Sequence, residues 1–200
     1  MIEVYYAPPS IYGRKVLTVL YEKNLDFEIK KMSFEAQDHL KEDYLKLNPN
    51  GEIPTMVDDG QVIYESTAIV EYLDEEYPEP PLMPVSSYDR ARVRIIEEYC
   101  DLHLYRAIVK TLVKLIRKEE VTQEDQKKIT DGLQRIETYL GNQEYLVGKF
   151  SLADCVFMPV IPSLIGINLG NLLELFQTLR VYGDRLKKRP GFKGASMLSL

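Results

Sequence analysis

Only two cysteines occur in 200 residues, Cys100 and Cys155, and no Cys-x-x-Cys pair is present. That scarcity argues against a disulfide framework, a thiolate metal cluster and a dithiol redox site. Both thiols are expected to be buried and reduced, in a cytoplasmic compartment. The chain shows no charged-then-apolar leader and no apolar run of membrane-spanning length. Neither secretion nor membrane insertion is expected. Positive charge is also in short supply. The net charge of −6 argues against nucleic acid or an anionic membrane as partner. No metal site, internal repeat or low-complexity tract is evident. What remains is 45% hydrophobic and 28% charged, enough for a real core in one large domain or two small ones.

The chain opens with a short apolar and aromatic run, 2–6, stopped by Pro8-Pro9. Ser10 follows, and a helical pattern over 11–23 starts at once, with Val16, Leu17 and Leu20 on one face. Leu25, Phe27 and Ile29 alternate as in a strand. This β-α-β order predicts parallel pairing. Residues 34–47 are polar with weak helical character. In 48–66, NPNGEIPTMVDDGQVIYES, Asp58-Asp59-Gly60 marks a hairpin turn and Ile53-Pro54 precedes its first strand. A cis Ile53-Pro54 bond is admissible there. Residues 66–77 read as a helix capped by Ser66 and stopped by Pro78. Four prolines in 78–87 then form a stiff linker.

Beyond the linker the pattern is helical. Ile96, Cys100, Leu104, Ile108, Leu112 and Ile116 recur every four residues, and Ile129, Leu133, Ile136 and Leu140 form a second stripe. Ser151 and Asp154 stand at capping-box spacing, Pro159 and Pro162 must shorten the helix behind them, and 172–188 reads as a last amphipathic helix. The expected organisation is an α/β domain over 1–78, a linker over 79–87 and an all-α domain over 88–200.

Two helices therefore begin near strand ends, behind Ser10 and at Ser66. Their free N–H groups and dipoles favour an anion: a phosphate, a carboxylate or a thiolate. The backbone of Ile53 offers an edge where a peptide can pair. Together these suit a small, extended, anionic, peptide-like ligand.

The segments PPSIYGRKV, NPNGEIPTMVDDG, YESTAIVEYLDEEYP, the proline linker and FSLAD occur in this order across nearly the whole chain. In that order and spacing the sequence resembles the cytosolic glutathione transferases, most of all the serine-type, phi- and theta-like classes. The resemblance implies a thioredoxin-like first domain that binds glutathione and a helical second domain that contributes the electrophile site. Ser10 matches the family's active-site serine, with Tyr5, Tyr6 and Tyr12 as rivals for the sulfur contact. Ile53 matches the residue before the family's cis-proline, Pro54. Glu65 and Ser66 match the acid–serine pair that holds the γ-glutamyl end, and His39 falls where a group can approach the glycine carboxylate. Glu52 departs from the glutamine common in phi-like members. The second ligand is expected between the domains, with His103 and Tyr105 as candidate contacts.

The implied activity is conjugation of the glutathione thiolate to apolar electrophiles, a detoxification reaction, by a homodimer with glutathione as co-substrate and no metal. Peroxidase or dehalogenase side activity is compatible. The zeta-class SSCS-like signature is absent, which argues against maleylacetoacetate isomerase. The competing reading is a non-catalytic transferase-fold module of the stringent starvation protein A type.

Overall fold

The computed structural model of the chain describes residues 1–197. Strand β1 (Ile2–Tyr6) runs parallel to β2 (Phe27–Lys31), with helix α1 (Ile11–Glu22) as the crossover. Strands β3 (Thr55–Asp58) and β4 (Gln61–Tyr64) form a hairpin, and β3 pairs antiparallel with β1. The sheet order is β2-β1-β3-β4. The hairpin turn places Asp59 at φ 45° and Gly60 at φ 86°, the positive-φ pair that a two-residue turn of matching twist needs. Helix α3 (Ser66–Glu76) packs against α1 and the hairpin. This mixed sheet with its helices is the thioredoxin-like arrangement expected. Residues 34–47, expected to be weakly helical, hold a single 3-10 turn (Asp38–Leu40) and the four-residue α2 (Glu42–Leu45).

The remainder is helical: α4 (Ser87–Tyr99), α5 (Arg106–Ile116), α6 (Gln123–Leu140), α7 (Leu152–Phe157), α8 (Val160–Gly166), α9 (Gln177–Leu186) and α10 (Phe192–Ala195). The four-residue apolar repeat has a consequence here. A 3.6-residue helix carries such a stripe steadily around its axis. Between α4 and α5 the backbone widens into a π-helical stretch, Cys100–Tyr105, whose i→i+5 bonds suit a longer period. Ile96, Cys100, Leu104 and Ile108 are buried, but Ile116 is 67% exposed. The end of the stripe has left the core.

Ser151 and Asp154 form the predicted capping box, and Asp154 also accepts from Leu146 N–H (3.0 Å) and the Tyr182 hydroxyl (2.6 Å). α7 ends before Pro159, whose absent N–H cannot continue the ladder. The last amphipathic stretch is shorter than expected. Residues Gly170–Leu175 form a 3-10 turn before α9, and α10 follows Pro190-Gly191. α10 lies so close on α1 that a Cβ at Gly194 would sit 2.5 Å from the Leu17 carbonyl.

Buried ion pairs join the two halves. Lys15 Nζ on α1 reaches Glu97 Oε1 and Asp101 Oδ2, each at 2.8 Å. Glu22, also on α1, pairs with Arg189 at 2.7 Å and accepts from Gly191 N–H. Cys100 and Cys155 are buried free thiols, and burial pushes both above the ordinary thiol range.

Candidate active site

A cleft of about 810 Å³ opens where the two halves meet. One wall is the start of α1, the Ile53-Pro54 peptide and the start of α3; the other is the π-helical stretch and α5. Volumes of this order hold drug-sized ligands.

The polar wall follows from local backbone rules. Pro8-Pro9 end the strand, and Ser10, with extended φ and ψ, caps α1 by accepting from Gly13 N–H at 3.0 Å. Its hydroxyl donates to the Ile53 carbonyl at 3.2 Å. Ser10 is buried, and both its donor and its cap acceptor are in use. The N–H groups of Ile11 and Tyr12, in the first turn of α1, have no intrahelical acceptor and stay available to a ligand.

The Ile53-Pro54 bond is cis. Its loop is fixed by Asn48, whose Nδ2 donates to the Glu52 carbonyl (2.9 Å) and to Thr55 Oγ1 (3.1 Å), and by the Tyr44 hydroxyl on the same carbonyl (2.5 Å). The α3 start differs in one respect from the expectation. Glu65 occupies the cap position, without a side-chain cap bond, and Ser66 is the first helical residue. Glu65 has φ 69°, a conformation that costs a non-glycine residue about 1–3 kcal/mol and clusters at ligand sites. Asn50 Nδ2 steadies its carboxylate at 3.1 Å.

Ser10, Tyr12, Ile53, Pro54, Glu65 and Ser66 thus come together on one cleft. His39 joins them from the 3-10 turn, its ring edge-on to Phe34 at 5.2 Å. Its Nδ1 is buried and has no hydrogen-bond partner among the described residues. Tyr5 and Tyr6 do not line the cleft. Tyr5 packs against Tyr44 with ring centres 5.6 Å apart. Tyr6 is fully buried, its hydroxyl faces the carbonyls of Pro8 and Met197, and burial raises its phenol. Tyr12 donates to the Asp101 carbonyl at 3.1 Å, and burial, then Asp101, raises its phenol too.

The candidates for the second ligand fall elsewhere. Tyr105 is buried beneath Tyr12 and bonded to the Val156 carbonyl. His103 lies against Tyr99, with tilted rings 4.9 Å apart, outside the cleft. The opposite wall is made instead by Leu102 of the π-helical stretch and by Arg106, Val109, Leu112, Val113 and Ile116 of α5. Sequence reasoning placed Leu112 and Ile116 in a core stripe; the π-helical stretch turns them to the cleft. It also missed Thr67 and Asp101. Thr67 Oγ1 lies 2.9 Å from Lys15 Nζ and 3.2 Å from Asp101 Oδ2. Asp101 Oδ1 is buried without a hydrogen-bond partner among the described residues. No motif spacing signals contacts across such sequence distances.

A thioredoxin-like domain with an anion-ready helix start, a cis-proline edge and a strained acid–serine pair, closed by an apolar helix wall, defines a cleft suited to a small anionic ligand. The chain matches two family models, "Glutathione S-transferase, N-terminal domain" over residues 4–81 and "Glutathione S-transferase, C-terminal domain" over 98–190. It belongs to the glutathione transferase family.

Among its relatives is a stringent starvation protein A homolog of Coxiella burnetii, 29% identical over 98% of this chain and 91% of the relative. A maleylacetoacetate isomerase of Pseudomonas aeruginosa is 30% identical over 96% and 92%. A glutathione S-transferase of Methylobacterium radiotolerans, solved in complex with glutathione sulfonate, superposes with a TM-score of 0.84 at 27% identity, covering 100% and 96% of the two chains.

Proposed function

We propose that this protein is a cytoplasmic glutathione transferase that conjugates the glutathione thiolate to apolar electrophiles, with Ser10 as the sulfur contact. The observation that carries the reading is the convergence of Ser10, the cis-proline edge and Glu65-Ser66 on one cleft whose opposite wall is apolar. Glutathione is the co-substrate. Its cysteinyl backbone pairs with Ile53, its γ-glutamyl end meets Ser66 and Glu65, and its glycine carboxylate approaches His39. The serine-type, phi- or theta-like class, a division at residues 79–87 and a homodimer belong to the same reading.

A free thiol with pKa about 8.5 is only a few per cent ionised at pH 7. Lowering it by about two units takes roughly 2.7 kcal/mol. A charge-assisted hydrogen bond supplies about 1.5–3 kcal/mol and a helix start about 0.3–1 kcal/mol. Ser10 reaches the sulfur by turning its hydroxyl off the Ile53 carbonyl, which a ligand N–H then satisfies. The thiolate sulfur forms the new bond to carbon, and the leaving group departs with its electron pair. Dehalogenation and peroxide reduction use the same thiolate. The isomerase relative extends the range of chemistry to test, although the break here reads Pro8-Pro9-Ser10 rather than a zeta-class signature.

A second reading is a non-catalytic module, favoured by the stringent starvation protein A relative and by a Ser10 hydroxyl already engaged at both ends. Retention on immobilised glutathione and turnover of an aryl halide decide between them. Calorimetry showing no binding at millimolar glutathione would overturn the transferase reading.

A further inference from the structure

We propose that Arg106 selects the electrophile, so that the preferred second substrate is an apolar molecule carrying a carboxylate or similar anionic group. The inference deepens the transferase reading and rests on it for the identity of the thiol.

Of the lysine and arginine side chains among the described residues, Arg106 is the one that lines the cleft. It begins α5, one turn before Val109 and two turns before Val113 on the same wall. The same wall of the cleft carries Leu102, Val109, Val113 and Ile116, of which Leu102, Val113 and Ile116 are exposed. No carboxylate lies within ion-pair distance of Arg106 among the described residues, whereas Arg94 and Arg189 are held by Glu71 and Glu22. Its neighbour is the phenol of Tyr12, beside Ser10 at the start of α1. A guanidinium with no carboxylate partner in an apolar wall keeps donors of its planar fork beyond the one that faces Tyr12, and matches a carboxylate in two-point fashion.

The other charged groups around the cleft do not take this role. Asp101 is bound to Lys15. Glu65 is held by Asn50 beside Ser66, and Glu52 stands next to Ile53 on the polar wall. Those carboxylates surround the place assigned to the tripeptide. Arg106 faces what lies beyond its sulfur, so an electrophile with its reactive carbon near Ser10 and an acidic group on its far side satisfies both.

The test compares two S-aryl conjugates that differ in one group, S-(4-carboxy-2-nitrophenyl)glutathione and its neutral 4-carboxamide. Calorimetry gives the affinity ratio without any need for turnover. The wild type is expected to favour the carboxylate by on the order of tenfold, since charge-assisted bonds exceed neutral ones. Arg106→Gln should bring the ratio near one and Arg106→Lys should keep part of it. Lys110→Gln, an exposed α5 change outside the cleft, should leave it as in the wild type. A wild-type ratio near one, or an equal ratio in Arg106→Gln, overturns the inference while leaving glutathione conjugation standing. Failure to bind either conjugate or glutathione overturns both readings.

Discussion

Replacing Ser10 with alanine separates its two roles, because each has its own magnitude and readout. The cap bond to Gly13 N–H is 3.0 Å and buried. Losing a serine cap costs about 1 kcal/mol, within about 0.5–2, and about 2–4 °C in Tm per kcal/mol for a chain of this size. Losing a hydrogen bond to a thiolate costs about 1.5–3 kcal/mol, which raises the bound thiol's pKa by about one to two units. The carbonyl of Ile53 does not offset that loss, since in the complex it accepts from the ligand. The acid limb of kcat/KM for the electrophile, measured at saturating glutathione, should therefore move to higher pH. The rate at pH 6.5 should fall at least about tenfold, and the deficit should shrink toward pH 9.5 as the thiol ionises unaided. Ser10→Thr, which keeps the hydroxyl, should retain much of the activity. The pH profile and the melting curve are read on the same preparations. A lower Tm with an unmoved acid limb would refute the reasoning: Ser10 would be a cap alone. The sulfur contact would then pass to Tyr12, the rival tyrosine that lines the cleft, and Tyr12→Phe would carry the shift.

Three further outcomes follow from the buried contacts. Lys15→Met leaves Glu97 and Asp101 facing each other without their counter-ion and should cost about 3–5 kcal/mol in urea unfolding; the double variant with Glu97→Gln should recover part, and a loss under about 1 kcal/mol would contradict the pairing. Gly194→Ala puts a methyl 2.5 Å from the Leu17 backbone and should cost about 1–3 kcal/mol, whereas an unchanged unfolding midpoint would mean that α10 does not dock this closely. Asp154 is pushed up to about 6 by burial, against hydrogen bonds from Tyr182, Leu146 and Ser151 that favour its charge. Its folded value lies above its unfolded one, so its contribution is full below about pH 4 and falls by about 3 kcal/mol as pH rises through 6. The stability difference between wild type and Asp154→Asn should change across that window, and a constant difference would refute the shift.

Where the chain obeys short-range rules, the sequence was readable. The strand before Pro8-Pro9, the Asp59-Gly60 turn, the Ile53-Pro54 edge and the Ser151–Asp154 capping box all depend on residues within a few positions of one another. The polar wall of the cleft joins segments far apart in the chain; Ser10, Ile53, Pro54, Glu65 and Ser66 could be named because the sequence resembles the family, and they do share one surface. The misses have long-range causes. A repeat of four said that a stripe existed, but not that a π-helical stretch would send Leu112 and Ile116 to the cleft and leave His103 outside it. α10 relies on docking against α1 rather than on its own propensity, so no local pattern marked it.

This division explains why the thiol partner is more legible than the electrophile. Recognition of a tripeptide uses backbone groups at strand ends and helix starts, and these come with the first domain's topology. The second ligand meets side chains of α5, whose orientation depends on how the second domain seats on α1. Lys15 ties the two together. Lys15 has no exposure in the assembled chain, and its charge there is matched by Glu97 and Asp101 from the second domain. The same contact brings Asp101 to the start of α3 and fixes the π-helical stretch that leads into Arg106. Changes on α5 should therefore alter which electrophile is accepted while leaving glutathione affinity in place, but changes at Lys15 should weaken both, because one buried charge network holds the two walls of the cleft in register.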